Sequence, residues 1–415
     1  MMNDDSLGER LKSARKMRGL SSAQLATRVS VSASYLRKIE AGSRKASARL
    51  VLDFAHALHV GPEVLTGQPY YGSAEAEDRI QAVVPELRRL LLCYDAPDDL
   101  DTRPRDLAVL ASEVDQIAAL RRDAKYGPMG PLLAPVVTEL THIALDGPNG
   151  DSTEQQRQAY LHLARAYRAV NSLAHKMGHH DLSNTALERV RWAADRSGDA
   201  LMQVTAGYLV AGAMLRTGAY TPARKLLTGL REELERQMPE RSYSPEGLAL
   251  DGALVLKLAV VEARNGHPDK AMRLLDEARA VAAVGGNLDS LAYEMSFGPT
   301  NIMIHEVHTL IDAHDTEQAL ARLREAGDNG RDWTPPDATV GERSSHHYID
   351  VAHARLTEGD RAGAFADLHQ ARKIAPNHTR FHPSARETVG ALLRQERQPT
   401  EEVVRFANWT GLSTT

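Results

Sequence analysis

The feature that most constrains the fold is a small-residue pattern that returns five times in the C-terminal part of the chain. A glycine or glycine-like residue is followed five residues later by a small residue, and seven residues further on by another small or apolar one. The starting positions lie 40 to 48 residues apart, in a stretch without convincing alternating strand patterns. This period predicts helix pairs that stack on one another. The starting positions are Gly178, Gly218, Gly266, His314 and Gly359.

The pattern resembles the tetratricopeptide repeat (TPR), although the standard period is about 34 residues. Gly359, Ala364, Ala371 and Pro376 match all four late positions of that repeat. Each repeat needs its neighbours to bury its apolar face, so the resemblance implies a curved α-solenoid. The expected fold is therefore all-α.

The N-terminal segment has the signals of five short helices. Ser21 to Gln24 reads as a capping box that starts a second helix. Ser32 is a good N-cap for a third helix, which Gly42 ends. The short turn between these two helices is typical of a helix-turn-helix.

These residues resemble the Cro/C1 (XRE) repressor family over about residues 6–66. The resemblance rests on Leu11-x-x-x-Arg15, Gly19-Leu20-Ser21, Leu25-Ala26, Val31-Ser32, Leu36-x-x-Ile39-Glu40-x-Gly42 and Ala55-x-x-Leu58-x-Val60. It implies that the third helix enters the major groove of double-stranded DNA. It also implies an internal ion pair between Arg15 and Glu40. The chain departs from the family at Ser22, where Gln is usual, and at Ala46, where Pro is usual.

The same resemblance assigns the DNA contacts. Ala33, Ser34 and Arg37 fall at base-reading positions, and Arg37 can pair with guanine O6 and N7. The full set of expected DNA-binding residues is Ser22, Ser32, Ala33, Ser34, Arg37, Lys38, Arg44 and Lys45.

Charge agrees with a small nucleic-acid-binding head on a larger body. Residues 1–68 contain eleven Lys/Arg and six Asp/Glu, whereas the whole chain has a net charge of −5. A basic head on an acidic body suits a protein that touches DNA through the head alone. The single cysteine, Cys93, excludes an internal disulfide and a cysteine zinc site. No signal peptide or membrane span is evident, which predicts a cytoplasmic protein without membrane contact.

Four segments follow from these patterns. We expect a DNA-binding head at 1–66, a linker at 67–74, a connecting helical region of two or three helices at 75–150, and a repeat domain for sensing and dimerisation at 151–415.

Repeat positions that face the groove of a TPR array predict the ligand site. Polar groups recur there among apolar ones, which suits a short peptide or a small molecule. The expected ligand-binding residues are Arg165, Arg168, Tyr208, Asn301, His305, His308, His346 and His353.

The body also resembles the C-terminal region of large TPR-containing XRE regulators of actinobacteria. The strongest stretches are Phe297-Gly-Pro-Thr-Asn301 followed by His305, and the segment from Ala371 to Pro376. A more distant similarity to peptide-sensing regulators of Gram-positive bacteria implies a signal-binding body.

Chemical motifs are weak in this chain. His305-Glu306-Val307-His308 is one residue short of a zinc-protease signature, and the pairs His179-His180 and His346-His347 have no third ligand placed by a motif. We therefore expect no metal site, no cofactor and no catalytic residues.

The sequence predicts a homodimeric, ligand-responsive transcriptional regulator that binds an operator. Two alternatives remain open at this point. The chain could be a DNA-bound scaffold whose groove holds a protein partner without a small signal, or an enzyme with a metal in its His-rich region.

Overall fold

The computed structural model describes residues 6–69, 80–96, 103–146, 153–237, 244–395 and 399–412. Within these ranges the chain is all-α, with two isolated β-bridges, Ser290 to Phe297 and Asp328 to Arg331. The expected fold class is confirmed. Part of the predicted linker, residues 70–74, lies outside the described residues.

The head consists of five short helices around one small core. Side-chain caps begin the first four helices, and the predicted capping box at Ser21 and Gln24 is present. Leu11, Leu25 and Phe54 are fully buried at its centre. The helices are α1 (Leu7–Met17), α2 (Ser22–Arg28), α3 (Ala33–Glu40), α4 (Ala48–Leu58) and α5 (Pro62–Thr66).

Three described helices connect the head to the repeats: α6 (Val84–Leu92), α7 (Leu107–Arg122) and α8 (Tyr126–Leu145). They share a hydrophobic core with the first helix pair of the repeat array.

Five helix pairs form a TPR-like solenoid. Each predicted starting residue lies in the turn inside a pair with a left-handed backbone, including His314 at φ 63°. A left-handed residue ends the first helix and reverses the chain, so the second helix packs back on the first. The pairs are α9 (Glu154–Lys176) with α10 (His180–Ser197), α11 (Ala200–Arg216) with α12 (Tyr220–Gln237), α13 (Pro245–Arg264) with α14 (Pro268–Val284), α15 (Pro299–Asp312) with α16 (Thr316–Ala326), and α17 (Gly341–Thr357) with α18 (Arg361–Ile374).

Small residues allow the close packing inside each pair. The alanines five residues after the turn, Ala223, Ala271, Ala319 and Ala364, are all fully buried. The first helices of successive pairs, from α11 to α17, also contact one another. They therefore form the inner layer of the array.

Three more helices end the described chain: α19 (Pro376–Phe381), α20 (Pro383–Gln395) and α21 (Glu401–Trp409). Pro376 starts α19, as its fixed φ and missing N–H favour. Helix α20 packs on α17 and reaches the head. Among the described helices, each is too short or too polar to cross a membrane.

Candidate functional site

The third helix of the head presents one polar face to solvent. Leu36 and Ile39 are buried in the core, and this orients the opposite face outwards. Ser32, Ser34, Arg37 and Lys38 are exposed on or beside that face. Ala33 and Ser22 are half-buried. Four of the eight predicted DNA-binding residues thus form one exposed polar and basic surface.

A buried ion pair fixes this helix to α1. Arg15 donates from Nε and Nη2 to the two carboxylate oxygens of Glu40, at 2.6 and 3.1 Å. Arg15 also donates to the carbonyl of Leu20 at 2.7 Å. The expected pair is confirmed, and it keeps the Glu40 carboxylate turned into the head.

Arg44 and Lys45 lie at the boundary between head and body, just after α3. Arg44 is exposed, and its backbone N–H donates to the carbonyl of Lys38 at 3.1 Å. Both line a cavity together with Asp350 and Glu387 of the body. Burial lowers the pKa of Lys45 to about 8, even though the carboxylates of Asp350 and Glu387 favour its charged form. In this arrangement the half-buried Lys45 lies near the carboxylates of Asp350 and Glu387 of the body.

The cavity has a volume of about 380 Å³ and lies between the head and the inner helices of the solenoid. The first helix of each of the five pairs contributes at least one residue to the floor of the cavity. Helix α20 supplies one wall, and the head covers the top. Representative floor residues are His175, Arg216, Arg264, His308 and His346.

Polar contacts between described residues join the head to the body around this cavity. The backbone N–H of Leu7 donates to Glu387 Oε1 at 3.0 Å. Arg49 Nη1 donates to the carbonyl of Arg264 at 2.7 Å. From α20, Arg394 donates to the carbonyl of Gly42 at 3.4 Å. Arg10 Nη2 also lies 4.0 Å from Glu387 Oε1. Polar contacts of this kind suit a docked arrangement that can open.

Three of the predicted ligand residues, His308, His346 and His353, line the cavity. The His308 ring lies between two carboxylates, with Nδ1 at 2.8 Å from Asp350 and Nε2 at 3.1 Å from Asp312. Burial opposes the charged form, but Asp312 and Asp350 together raise the pKa of His308 to about 10. The cavity floor therefore carries a fixed imidazolium.

Arg165 and Arg168 lie in an ion cluster outside the cavity lining. Both contact the turn Ala292–Glu294, which joins the third and fourth helix pairs. Arg165 pairs with Glu294 at 3.1 Å and with Asp115 at 2.7 Å. Arg168 donates to the carbonyls of Tyr293 and Glu294 at 2.7 and 2.9 Å. In this structure their guanidinium groups already have protein partners.

The other three predicted ligand residues also lie outside the cavity lining. Tyr208 packs beneath the ammonium of Lys257, 4.3 Å from the ring centroid. Asn301 donates to the carbonyl of Ser296 at 2.5 Å, and His305 Nδ1 lies 2.8 Å from the carbonyl of Asn301. These contacts place them in the packing of the inner helices.

Comparison with known proteins bears on the head. Residues 6–66 match the family model of a helix-turn-helix domain. A search of curated protein sequences finds no significant match to the chain.

Several solved structures show a distant similarity. PlcR of Bacillus thuringiensis, crystallised with the peptide PapR7 and DNA, is 12% identical, with 87% of this chain and 98% of that chain covered and a TM-score of 0.32. BtubC (BKLC) of P. vanneervenii is 13% identical, covering 67% and 94%, with a TM-score of 0.30. A crystallised TPR domain is 11% identical, covering 98% and 97%, with a TM-score of 0.21.

Sequence reasoning missed the contribution of the helix-turn-helix domain and of α20 to the cavity. Glu387, Arg394 and His382 come from α20 or its start, beyond the last repeat, so counting along the repeat pattern could not reach them. One local signal was available. His378 and His382 are four residues apart, the spacing that places two side chains on one helix face.

Proposed function

We propose that this chain is a sequence-specific DNA-binding transcriptional regulator whose cavity binds a short peptide or another small diffusible molecule. The observation that carries the proposal is the shared cavity. Residues of both the helix-turn-helix domain and the solenoid line this cavity. A molecule bound in it would therefore contact the DNA-binding domain and the solenoid at the same time.

The exposed face of α3 supports the DNA-binding part. Arg37 and Lys38 extend from it without cover from the body. A helix of this kind reads base edges in the major groove through its N-terminal residues, while neighbouring cations contact phosphates. A homodimer would place two such helices about 34 Å apart on a palindromic operator.

The size of the cavity favours a small ligand over a folded partner. About 380 Å³ lies within the range of about 300–1,000 Å³ typical of small-molecule pockets. The head occupies the opening where a protein partner would otherwise enter the groove. The scaffold alternative would need the head to leave first.

A mechanism follows from the position of Lys45. While the head is docked, Lys45 lies near Asp350 and Glu387 of the body and is withheld from DNA phosphates. A ligand that binds one of the two arrangements, docked or released, more tightly than the other shifts the equilibrium towards that arrangement. Operator affinity then changes with the fraction of released heads.

The experiment begins with selection of double-stranded DNA from a random pool by the full-length chain, followed by fluorescence anisotropy on the enriched sequence. We expect Arg37→Ala to cost about 1–3 kcal/mol on that site and to relax one base position. Lys12→Ala, an exposed cation on α1, is the matched control and should bind within twofold of wild type. No enriched sequence, or full affinity for Arg37→Ala, would contradict the proposal.

The ligand part is tested separately by thermal shift with synthetic peptides and culture-extract fractions. A stabilising small fraction that also changes operator affinity supports it. A stable protein partner that stabilises the chain, with all small fractions inactive, would favour the scaffold instead.

A further inference from the structure

Three histidines from two distant parts of the chain meet beside the cavity, and two of them, His346 and His382, line it. His346 comes from α17, His378 from α19, and His382 from the turn between α19 and α20. Their ring centroids are 5.0, 5.2 and 5.9 Å apart. One nitrogen from each ring lies within 4.8 Å of one from each of the others. Imidazole nitrogens grouped in this way are the usual donors for divalent transition metals.

His378 shows most clearly that packing alone does not account for the group. The residue is 1% exposed, and both of its ring nitrogens are buried without a hydrogen-bond partner among the described residues. A buried polar atom without a partner costs about 1–3 kcal/mol. A bound metal would satisfy one of these nitrogens, so the cluster has an energetic reason to hold one.

We infer that His346, His378 and His382 bind one divalent transition-metal ion of the Zn²⁺ class. A tetrahedral ion with bonds of about 2.0–2.1 Å separates its ligand atoms by about 3.4 Å. The ligand atoms therefore need to approach one another by at most about 1.4 Å, which side-chain rotation on α17 and at the α19 terminus can provide.

Asp350 completes the site from the same helix as His346. Its Oδ2 lies 3.5 Å from His346 Nε2, so this carboxylate can orient the ring of His346. A carboxylate behind a ligating histidine fixes the ring and strengthens its donor nitrogen. His382 Nδ1 accepts a 3.2 Å hydrogen bond from the backbone N–H of Ser384, and ligation costs at most this one bond.

The protonation states agree with ligation. Burial lowers the pKa of His346 to about 4, and burial also holds the pKa of His378 and of His382 well below the usual range. Burial therefore favours the neutral form of each ring, which has one acceptor nitrogen; that of His382 accepts the hydrogen bond from Ser384. Metal binding needs no proton release from them.

A second possible donor set, His308, His346 and Asp350, fits a metal less well. His308 already lies between two carboxylates at hydrogen-bond distance. A metal there would have to replace a satisfied ion cluster. The unpartnered nitrogens belong to the histidine-only group.

The inference goes beyond the proposed function, and its test does not depend on DNA. A metal would tie α17 to the start of α20, five residues before Glu387, which holds the N-terminus of α1. The site would therefore stabilise the wall on which the head docks.

The experiment is zinc titration of the full-length chain after chelator treatment, by calorimetry and by elemental analysis of dialysed protein. We expect one Zn²⁺ per chain with a dissociation constant below about 1 µM and a rise in melting temperature. Co²⁺ should give the visible absorption of a tetrahedral site. His382→Gln and His346→Gln should each weaken binding at least tenfold and abolish that absorption.

His369→Gln is the matched control, because this exposed histidine on α18 lies outside the cluster. It should retain wild-type affinity. His378→Gln is informative only if its circular dichroism matches wild type, and the two cavity-facing variants carry the test otherwise. Absence of stoichiometric zinc binding in wild type, or binding that survives both His346→Gln and His382→Gln, would overturn the inference. Failure to bind DNA would count against the proposed function alone.

Discussion

Replacement of Glu294 by Gln tests how the body holds its inner surface together. This carboxylate is buried, with Oε2 at 2.9 Å from Arg121 Nη2 and Oε1 at 3.1 Å from Arg165 Nε. Tyr293 and Glu294 both have left-handed backbones, at φ 48° and 57°. Non-glycine residues in that region cost about 1–3 kcal/mol each, so the ion pairs must over-compensate the strain.

The loss of stability expected for Glu294→Gln can be worked out from the pKa shift of the Glu294 carboxyl group. Burial alone would raise the pKa of Glu294, but Arg121, Arg168 and Arg165 lower it from 4.5 to about 2. At about 1.4 kcal/mol per tenfold, this depression corresponds to roughly 3 kcal/mol of stability. Removing one partner of a buried ion pair costs a similar amount, about 3–5 kcal/mol, because the other charge stays buried. We expect Glu294→Gln to lose about 3 kcal/mol at pH 7.

The sign with pH is fixed by the direction of the shift. A carboxyl group whose pKa is depressed by folding stabilises the protein fully above its unfolded pKa, and loses that contribution as pH falls towards the folded value. The deficit of Glu294→Gln should therefore be constant from pH 8 to about 5. It should shrink from about pH 4.5 downwards.

The assay is urea unfolding followed by tryptophan fluorescence, since Trp192, Trp333 and Trp409 all lie in the body. Glu188→Gln, in an exposed pair with Arg191 at 3.9 Å, is the control and should change little. A Glu294→Gln variant as stable as this control would refute the reasoning.

Three further outcomes are expected. Glu40→Gln should destabilise the helix-turn-helix domain by about 3–5 kcal/mol, because Arg15 stays buried without its partner. Hydrogen exchange of the amides of α1 and α3 measures this loss, and unchanged protection would contradict the prediction. His314→Gly should stabilise the body by about 1 kcal/mol, because glycine removes the cost of the left-handed backbone; a lower melting temperature would count against that view of the turn. Glu387→Ala should raise operator affinity by up to about tenfold in anisotropy titrations, because it removes a charge-assisted hydrogen bond of the docked head. Unchanged affinity would mean that docking does not restrain DNA binding.

The helices could be predicted from the sequence because their signals are local. The signals at Ser32, Gly42 and Pro62 act on backbone groups within four residues along the chain. Rules for helix caps and turns therefore predict them. The repeat turns were equally accessible. Even His314, which replaces glycine, adopts the left-handed conformation that the pattern requires.

The partners of the polar side chains could not be predicted from the sequence, because they lie far away along the chain. Counting repeat positions placed Arg165 and Arg168 in the groove, but their partner Glu294 lies more than 120 residues further along the chain. No spacing rule connects a loop between the third and fourth helix pairs to the first pair. The same holds for Lys45, whose nearby carboxylates, Asp350 and Glu387, belong to α17 and α20.

The docked head finally sets a limit on how strongly any signal can act. The contacts between described residues that close the cavity include three hydrogen bonds, of which the one to Glu387 is charge-assisted at 3.0 Å, and an ion pair of Arg10 with Glu387 at 4.0 Å. Such bonds contribute about 0.5–3 kcal/mol each, so docking is a balance that a ligand of ordinary affinity can shift. By linkage, operator DNA must change the affinity for a cavity ligand by the same factor as the ligand changes that for DNA. Measuring either factor would therefore test the coupling without knowing the direction of regulation. A factor of one would mean that the ligand does not act on this equilibrium.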